Sequence, residues 1–580
     1  MFEKIIYISN EIAKIKVNGS LENNIMNMHV IFEENNRLIL GQIQDVDSDI
    51  VTVNFLGELI DNNFVSGVTM KPSLSSKIRM ITKDELSFII GINKVDSFYM
   101  GKSPLYDNAD VRVDINDLFS NHMAIFGNTG SGKSYGVARL LQNVFSTPTL
   151  APIKSNFFIF DAYGEYHDAF QDLNKINPNF HFKYYTTNLN DVGGEILRVP
   201  LWLLTVDDYA LLLGADSHVQ LPIIERMIKL VNIFSESDEK ANEYKNHLIA
   251  KAMMTILYTN QTSESKRNDI FAIMNSCSTK EFNIEAPVQG LGYTRKFREC
   301  FEIDKSGEFT ESILVTQYIS SFIHEELDKY EARNTNFYTL NDLEKALEFT
   351  LISEGLLRNE KVYNEAITLK VRLHSLAISQ NAVYFSYPSY VTLEQFISSL
   401  VSCPGGKAQI INFNLEDIDD GIAKVITKIY TRMLFDFTKK LKVRASIPFH
   451  IFLEEAHRYV QNDKDNYLIG YNIFERVAKE GRKYGLIFNL ISQRPVEISE
   501  TVISQCSNFI IFKMTHPRDL EYIRKMLPNI SSEIVEMQKT LQSGTCVAFG
   551  KAFKIPLLVR MDLPNPEPNS TNADVAARWK

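Results

Sequence analysis

Short runs of alternating apolar and polar residues fill the first part of the chain. Turn-forming Asn, Asp and Gly residues separate these runs, and Asn18-Gly19 ends the first of them. Strands at such close spacing are typical of a small antiparallel barrel. We therefore predict a small N-terminal β-barrel over residues 1–97, with strands at Ile12–Val17, Met28–Phe32, Leu38–Ile43 and Ile50–Phe55.

The pattern changes over residues 98–205, where fully apolar runs such as Met123–Phe126 and Phe157–Phe160 alternate with amphipathic segments. This alternation is typical of a parallel α/β sheet that is covered on both faces. Similar runs return over residues 401–563, and the two parts together predict one α/β domain. The later strands are expected at Gln409–Phe413, Phe449–Leu453, Leu486–Ile491 and Phe509–Phe512.

The segment that separates these two parts, residues 206–400, has apolar residues at helical spacing, as over Leu221–Val231. We predict a helical insertion there, with no chemistry of its own. Residues 564–580 are rich in Pro and Asn and predict an extended C-terminal tail.

The composition, with 45% apolar and 23% charged residues, is that of a folded globular protein. The net charge of −10 argues against a protein that coats DNA with its whole surface, so any DNA would contact a local basic strip. The sequence shows neither a signal peptide nor a run of about 18 apolar residues that would span a membrane. Scattered cysteines without a CxxC pair argue against a zinc ribbon and favour a reducing cytoplasm; they are Cys277, Cys300, Cys403, Cys506 and Cys546.

The strongest motif follows the first apolar strand and precedes an amphipathic helix. Its glycines allow the backbone N–H groups to approach phosphate oxygens, and the helix N-terminus adds partial positive charge. We expect Lys133 to reach the β- and γ-phosphates and Ser134 to ligate Mg²⁺. Asn93–Asp96 resembles a guanine-reading motif but lies upstream of the loop, so ATP is favoured. The phosphate loop is Gly127, Asn128, Thr129, Gly130, Ser131, Gly132, Lys133 and Ser134.

Two carboxylates, Glu454 and Glu455, follow the apolar strand Phe449–Leu453. In an ATPase with a phosphate loop, the first such carboxylate holds the water shell of Mg²⁺ and the second is the general base that activates water. Glu454 stands where Asp is usual and is one methylene longer. The alternative interpretation is a solvated helix start with acidic residues at its N-terminus.

Polar residues also follow two other predicted strands. Asp161, with Glu165 close behind it, predicts either a second acidic site that positions water or Mg²⁺, or a turn capped by an aspartate, and both interpretations stay open. Gln493 is a candidate contact for the γ-phosphate, and a simple polar turn is the alternative.

A basic cluster at residues 476–483 offers an arginine finger for the ATP of a neighbouring subunit, with Arg482 as first choice and Arg476 as second. Such a finger requires an oligomer. The alternative is a solvated helix face. His122 and His457 have no second ligand at metal spacing, so we expect them to pack or hydrogen-bond.

These motifs occur in one order along the chain, and together they resemble the HerA branch of the FtsK/HerA ATPases. The resemblance rests on Gly127–Ser134, Asp161–Tyr166, Glu454–His457, Gly481–Gly485 and Ser492–Pro495, and it extends to the N-terminal β region, the segment Met100–Leu105 and the late strand at Val559–Arg560.

The resemblance implies a RecA-like core and a homohexamer with ATP and Mg²⁺ at subunit interfaces and double-stranded DNA in the central channel. It also implies a partner nuclease, typically NurA, or a sirtuin-like effector that docks on the barrel, in DNA-end processing or defence against phage. The tail would brace the neighbouring subunit, with Trp579 as an anchor. Glu454 in place of Asp, and Ala162-Tyr163 in place of Pro-His, depart from the family pattern and suggest slow turnover.

Three functions remain open at this point. The first is a DNA translocase or helicase that works with a nuclease or effector. The second is an ATP-regulated hexameric scaffold that assembles and activates a defence effector without processive movement on DNA. The third is a secretion ATPase of the same superfamily, which the lack of a predicted membrane segment disfavours.

Overall fold

A computed structural model describes most of the chain. The described residues are 2–18, 25–61, 63–90, 96–150, 152–236, 238–329, 336–353, 360–462, 465–526, 532–570 and 575–579. The predicted turn at Gly19 and the segment Asn93–Val95 lie outside these ranges.

The N-terminal domain is a curled antiparallel sheet. Its strands are β1 Phe2–Ile8, β2 Ile12–Val17, β3 His29–Glu34, β4 Arg37–Asp47, β5 Ile50–Ile60, β6 Asn63–Ser66 and β7 Lys77–Met80. They pair in the order β1-β2-β5-β4-β3-β7, and β6 pairs with β5. The concave face holds a small core that includes Ile15, Val30, Phe32 and Val53. The four predicted strands are confirmed as β2, β3, β4 and β5. Their apolar residues alternate along the sequence because every second side chain of a strand faces the core.

The expectation that residues 1–97 are β throughout is wrong near their end, where helix α1 spans Lys83–Ile90. The side chain of Thr82 accepts from the backbone N–H of Glu85, and the Glu85 carboxylate accepts from the N–H of Thr82, which is the reciprocal cap of a helix start. Leu86, Ile89 and Ile90 are buried at helical spacing.

The strands that follow along the described chain are β8 Ser97–Ser103, β9 Ala109–Asp114, β10 Met123–Phe126, β11 Asn156–Asp161, β12 Phe182–Thr186, β13 Glu195–Ile196, β14 Pro287–Gln289, β15 Thr294–Lys296, β16 Ser402–Cys403, β17 Gly406–Lys407, β18 Ile410–Asn414, β19 Phe449–Leu453, β20 Leu486–Ser492, β21 Asn508–Ile511, β22 Thr545–Gly550 and β23 Leu557–Arg560. β14 pairs with β15, and β16 with β17. The others form one sheet in the order β13-β12-β18-β11-β19-β20-β10-β21-β22-β23-β8-β9.

The sheet is parallel from β13 to β21, as the sequence predicts, whereas β22, β23, β8 and β9 extend it by antiparallel pairing. Alternate residues of the inner parallel strands enter two different cores: Phe126 faces one, and Ile125 the other. Because both faces are buried, inner strands such as β10 and β19 are mostly apolar, whereas β12 and β13 near the edge of the sheet carry Lys183 and Glu195.

The remaining α-helices of the described chain are α2 Ile115–Phe119, α3 Lys133–Ser146, α4 His167–Phe170, α5 Leu173–Ile176, α6 Val206–Leu212, α7 Gln220–Ser235, α8 Glu239–Leu257, α9 Ser263–Cys277, α10 Ser312–Ser320, α11 Leu340–Ser353, α12 Glu360–Ile378, α13 Leu393–Val401, α14 Asp420–Lys440, α15 Asp465–Leu468, α16 Ile473–Glu480, α17 Glu500–Ser504, α18 Pro517–Met526, α19 Ser532–Met537 and α20 Val575–Arg578. Helices α6 to α13 lie between β13 and β18 in the chain, so the described residues between 206 and 400 are mainly helical as predicted, apart from the β14–β15 hairpin.

The segment after β23 lies along α3 of its own chain. The side-chain amide of Gln142 accepts from the N–H of Asn565 and donates to the carbonyl of Pro566, at 2.9 and 2.8 Å. Further on, the Tyr135 hydroxyl donates to the Glu567 carboxylate. The segment therefore runs along α3 towards the phosphate loop. Trp579 is 86% exposed.

Candidate active site

Three parallel strands bring the predicted motifs together. β20 lies between β10 and β19, with Phe126 opposite Ser492 and Leu453 opposite Leu490. The phosphate loop follows β10, Gln493 follows β20, and the acidic pair follows β19. Because the carboxyl ends of parallel strands lie at one edge of a sheet, the three motifs meet there.

The glycines of the phosphate loop are required by its geometry. Gly130 and Gly132 have φ angles of +72° and +91°. A Cβ atom on Gly132 would lie 2.7 Å from the backbone nitrogen of Gly544, whose N–H donates to the carbonyl of Ser131. The loop leads directly into the N-terminus of α3, where unpaired N–H groups and partial positive charge favour a phosphate.

Lys133 lies between the two carboxylates of the acidic pair. Its ammonium group is 3.3 Å from an oxygen of Glu454 and 3.3 Å from an oxygen of Glu455. All three side chains are buried. Burial by itself lowers the pKa of Lys133, but the two carboxylates outweigh it and the pKa is raised. The lysine therefore stays charged and joins the phosphate loop to the end of β19.

Glu454 is held on both carboxylate oxygens. One contacts Lys133, and the other accepts a 2.8 Å hydrogen bond from the hydroxyl of Tyr166. Burial raises the pKa of Glu454 to about 7, and the repulsion from Glu455 adds to this effect while the charge of Lys133 opposes it. Glu454 therefore titrates near neutral pH, far above an exposed glutamate.

Glu455 has a φ angle of +49°, a backbone conformation that is uncommon for a residue with a long side chain. Its Oε1 accepts a hydrogen bond from Nε2 of Gln493, and its Oε2 lies 3.1 Å from Nδ1 of His457. Burial by itself raises the pKa of Glu455, but His457, Lys133 and Gln493 outweigh it and lower the pKa to about 2. Glu455 is therefore an ionised carboxylate surrounded by donors.

Gln493 also contacts the phosphate loop. Its Oε1 accepts a 2.6 Å hydrogen bond from the hydroxyl of Thr129. The amide thus joins Thr129 to Glu455, across the strand that separates the two motifs. On the far side of the loop, the side-chain amide of Asn128 donates to the hydroxyl of Thr515.

Asp161 has the environment of a residue that caps a turn. Its carboxylate accepts from the backbone N–H groups of Glu165 and Tyr166, at 3.0 and 2.9 Å, and from the side-chain amide of Asn412 at 3.2 Å. Burial raises its pKa to about 6. The turn that it fixes places Tyr166 on Glu454. Glu165 accepts a 3.1 Å hydrogen bond from the hydroxyl of Ser570 instead of contacting the phosphate loop.

Arg482 lies at the amino ends of the parallel strands, on the side of the sheet opposite to the phosphate loop. It belongs to a 3₁₀ turn, Gly481–Tyr484, that leads into the amino end of β20, whereas Gln493 follows the carboxyl end of the same strand. Arg482 is exposed. Burial, with a smaller effect of the Arg482 charge, lowers the pKa of His122 at the amino end of β10 to about 4. Arg482 is therefore remote from the phosphate loop of its own chain.

Arg476, the second choice for a finger, is half-buried. Its guanidinium lies 5.4 Å from the ring centre of Tyr471 and 5.9 Å from that of Phe435. His122 packs and hydrogen-bonds as predicted: it accepts from the N–H of Phe488 at 2.9 Å, and its other ring nitrogen lies 3.0 Å from the carbonyl of Ala478.

Three contacts around the acidic pair escaped the sequence analysis. Tyr166 bonds Glu454, and His457, which was expected to pack or hydrogen-bond without a stated partner, lies against Glu455. The guanidinium of Arg458 lies 5.6 Å from the ring centre of Tyr163, which is 50% exposed. Tyr163, Tyr166 and His457 lie inside predicted motifs, and Arg458 directly follows one; that position was the available signal.

Few groups at this site suit a metal ion. Among the described residues, no cluster of three or more His, Cys, Asp or Glu side chains could hold one. Mg²⁺ needs few protein ligands, because it keeps several of its waters and binds substrate phosphates. The oxygens that would coordinate such an ion are the hydroxyl of Ser134, in the first turn of α3, and the carboxylate of Glu454.

A glycine loop at a helix start, a buried lysine and an ionised carboxylate two strands away define a P-loop ATPase. Comparisons with known proteins narrow this class. Residues 98–286 match the family model described as the central domain of helicase HerA. The DNA double-strand break repair helicase HerA of Sulfurisphaera tokodaii is 24% identical over 88% of this chain and 78% of that protein. The probable DNA double-strand break repair helicase HerA of Methanocaldococcus jannaschii is 22% identical over 94% of this chain and 92% of that protein.

Among solved structures, VirB4 of Thermoanaerobacter pseudethanolicus matches at 12% identity with a TM-score of 0.41, over 81% of this chain and 97% of that one. The chain is a HerA-like ATPase, as the order of its motifs predicts. In the part of the chain that the structure describes, none of the helices has the length and apolar character needed to cross a membrane.

Proposed function

We propose that this ATPase is a motor that moves double-stranded DNA and that it works as a homohexamer. The observation that carries the proposal is the contact of Lys133 with Glu455, together with Gln493 on the strand between them. Relatives that resemble nearly the whole chain are named DNA double-strand break repair helicases, and this supports DNA as the substrate of the motor.

The residues of the site have distinct roles in the hydrolysis of ATP. The phosphates bind the backbone amides of residues 127–134, and Lys133 exchanges its carboxylate contacts for the β- and γ-phosphates. Glu455 takes a proton from the attacking water as the general base. Gln493 turns its amide donor from Glu455 to the γ-phosphate. Ser134 and Glu454 would hold Mg²⁺, and the bound ion would neutralise phosphate charge.

The position of Arg482 supports a ring. Arg482 lies too far from the phosphate loop of its own chain to reach the ATP there, so an arginine finger at this position would serve the ATP of another subunit. In that arrangement each ATP is completed by two chains, and DNA lies in the central channel on a local basic strip. The C-terminal tail braces the neighbouring subunit beyond Ser570, with the exposed Trp579 as anchor.

The N-terminal sheet is the proposed docking site of a partner nuclease or a sirtuin-like effector, in DNA-end processing or in defence against phage. Ile6 and Tyr7, on the edge strand β1, are 42% and 49% exposed, and this supports contact with another protein. The unpaired cysteines support a reducing, cytoplasmic location.

Stimulation of ATP hydrolysis by DNA tests the motor. We expect linear duplex DNA to raise the hydrolysis rate of the purified protein by about tenfold or more, with Lys133→Ala as the background control. Equal rates with and without duplex DNA, in hexamers that bind it, would contradict the motor. They would favour the scaffold that uses ATP to assemble an effector.

A further inference from the structure

The side chain of Thr129 makes a hydrogen bond that phosphate binding by the loop does not require. The loop binds phosphate through backbone N–H groups, so its side chains at positions other than Lys133 and Ser134 have no fixed partner in that task. Thr129 is exposed, yet its hydroxyl donates to Oε1 of Gln493 over 2.6 Å. This is a specific contact between the loop and the end of β20.

The polarity of the contact is fixed by Glu455. An ionised carboxylate only accepts hydrogen bonds, so the amide of Gln493 must present Nε2 to Glu455. Its Oε1 then faces the loop and needs a donor. The Thr129 hydroxyl supplies that donor, and the chain of bonds runs in one direction from Thr129 through Gln493 to Glu455.

We propose that Thr129 is a positioning residue for ATP hydrolysis, which holds the Gln493 amide in place through its oxygen. While Oε1 stays bonded to Thr129, the NH₂ group can only move between Glu455 and the position of the γ-phosphate beside Lys133. Without the hydroxyl, Oε1 loses its donor, and the NH₂ group is no longer held on the path between Glu455 and the γ-phosphate. The proposal rests on the role of Glu455 as the base.

Removal of the hydroxyl tests this role. Thr129→Val keeps the shape of the side chain and lacks the donor, and we expect its kcat to fall about tenfold, the effect of one hydrogen bond to a charged network. Its Kd for ATP should change less than about twofold, because backbone groups bind the phosphates. Thr129→Ser restores the donor and should recover kcat to within about threefold of the wild type. Because the residue is exposed, the thermal midpoint of each variant should equal that of the wild type.

The dependence on Gln493 separates this role from a direct effect on the nucleotide. If Thr129 acts through the amide, Thr129→Val adds no further loss of kcat to Gln493→Ala, and the effects of the two substitutions are not additive. A full tenfold extra loss in the double variant would overturn the proposal, as would a wild-type kcat in Thr129→Val. Near wild-type hydrolysis in Glu455→Ala would instead overturn the role of the base, whatever Thr129→Val shows.

Discussion

The ammonium group of Lys133 and the carboxylate of Glu455 lie 3.3 Å apart, although 322 residues separate them in the chain. The insertion of residues 206–400 accounts for most of that separation and leaves the sheet order of β10, β20 and β19 intact. One buried cation thus meets two carboxylates whose pKa values are shifted in opposite directions, Glu454 up and Glu455 down. Opposite pKa shifts of this kind are typical of two carboxylates with different roles, here Glu454 as the proposed metal ligand and Glu455 as the proposed base.

Lys133→Ala and Glu455→Ala should fail at different stages. We expect both to abolish turnover, with Glu455→Ala lowering kcat by about 10²–10⁴-fold, the usual contribution of a general base. Glu455→Ala should still bind ATP, whereas Lys133→Ala loses a direct phosphate contact. Equilibrium binding of a fluorescent ATP analogue and a phosphate-release assay distinguish the two. The exposed Lys229→Ala is the matched control. Hydrolysis near the wild-type rate in Glu455→Ala would exclude its role as base.

Arg482→Ala should inactivate the neighbouring site instead of its own. We expect intact oligomers with little hydrolysis, and partial recovery when they are mixed with Glu455→Ala subunits, which supply the missing arginine to a site with an intact base. Hydrolysis at several mixing ratios measures this. The exposed Lys483→Ala is the control. An absence of recovery in mixed hexamers would contradict a finger that acts between subunits.

The stability of the protein should carry a pH signature of Glu454. Its pKa in the folded chain, about 7, lies above the ordinary value of 4.5, so its contribution to stability is fully present below pH ~4.5 and is lost as the pH rises to ~7. Glu454→Gln cannot titrate. Relative to this variant, the wild type should lose thermal stability between pH 5 and pH 8, by several degrees in the unfolding midpoint. A constant difference between the two proteins across this range would contradict the raised pKa.

Asp161→Asn tests the turn-capping environment of Asp161. The amide group introduces a donor opposite two backbone donors, so we expect a loss of about 1–3 kcal/mol in stability, measured as a lower unfolding midpoint. At a temperature where the variant is folded, kcat should fall less than about fivefold, because the effect reaches Glu454 only through Tyr166. Asp61→Asn, on the exposed loop after β5, is the control. A kcat as low as that of Glu455→Ala, with an unchanged midpoint, would favour a direct catalytic role instead.

Gln142→Ala should loosen the C-terminal segment from α3. The substitution removes one donor and one acceptor that bind the backbone of Asn565 and Pro566. We expect hydrogen–deuterium exchange over residues 562–570 to accelerate about tenfold, while β10 stays protected. The exposed Gln171→Ala should leave the exchange unchanged. Equal protection in Gln142→Ala would show that other contacts hold the segment.

The sequence by itself determined the parts of this protein that depend on local pattern. The apolar run before Gly127 and the glycines at positions 130 and 132 predicted a strand, a loop with positive φ angles and a helix, and the structure has all three. The strand that ends before Glu454 was equally clear, because a strand buried on both faces is apolar throughout. The helical insertion followed from apolar spacing alone.

Only the tertiary structure decided which strand ends, and therefore which motifs, lie next to each other. The order of strands in a sheet depends on long-range pairing, so nothing local in the sequence says that β20 separates β10 from β19, or that Gln493 reaches both Thr129 and Glu455. The same holds for Tyr166 on Glu454, for Arg482 at the far edge of the sheet and for the tail on α3. Hydrogen bonds and charges act over a few ångströms in space, and distances along a chain of 580 residues do not fix them.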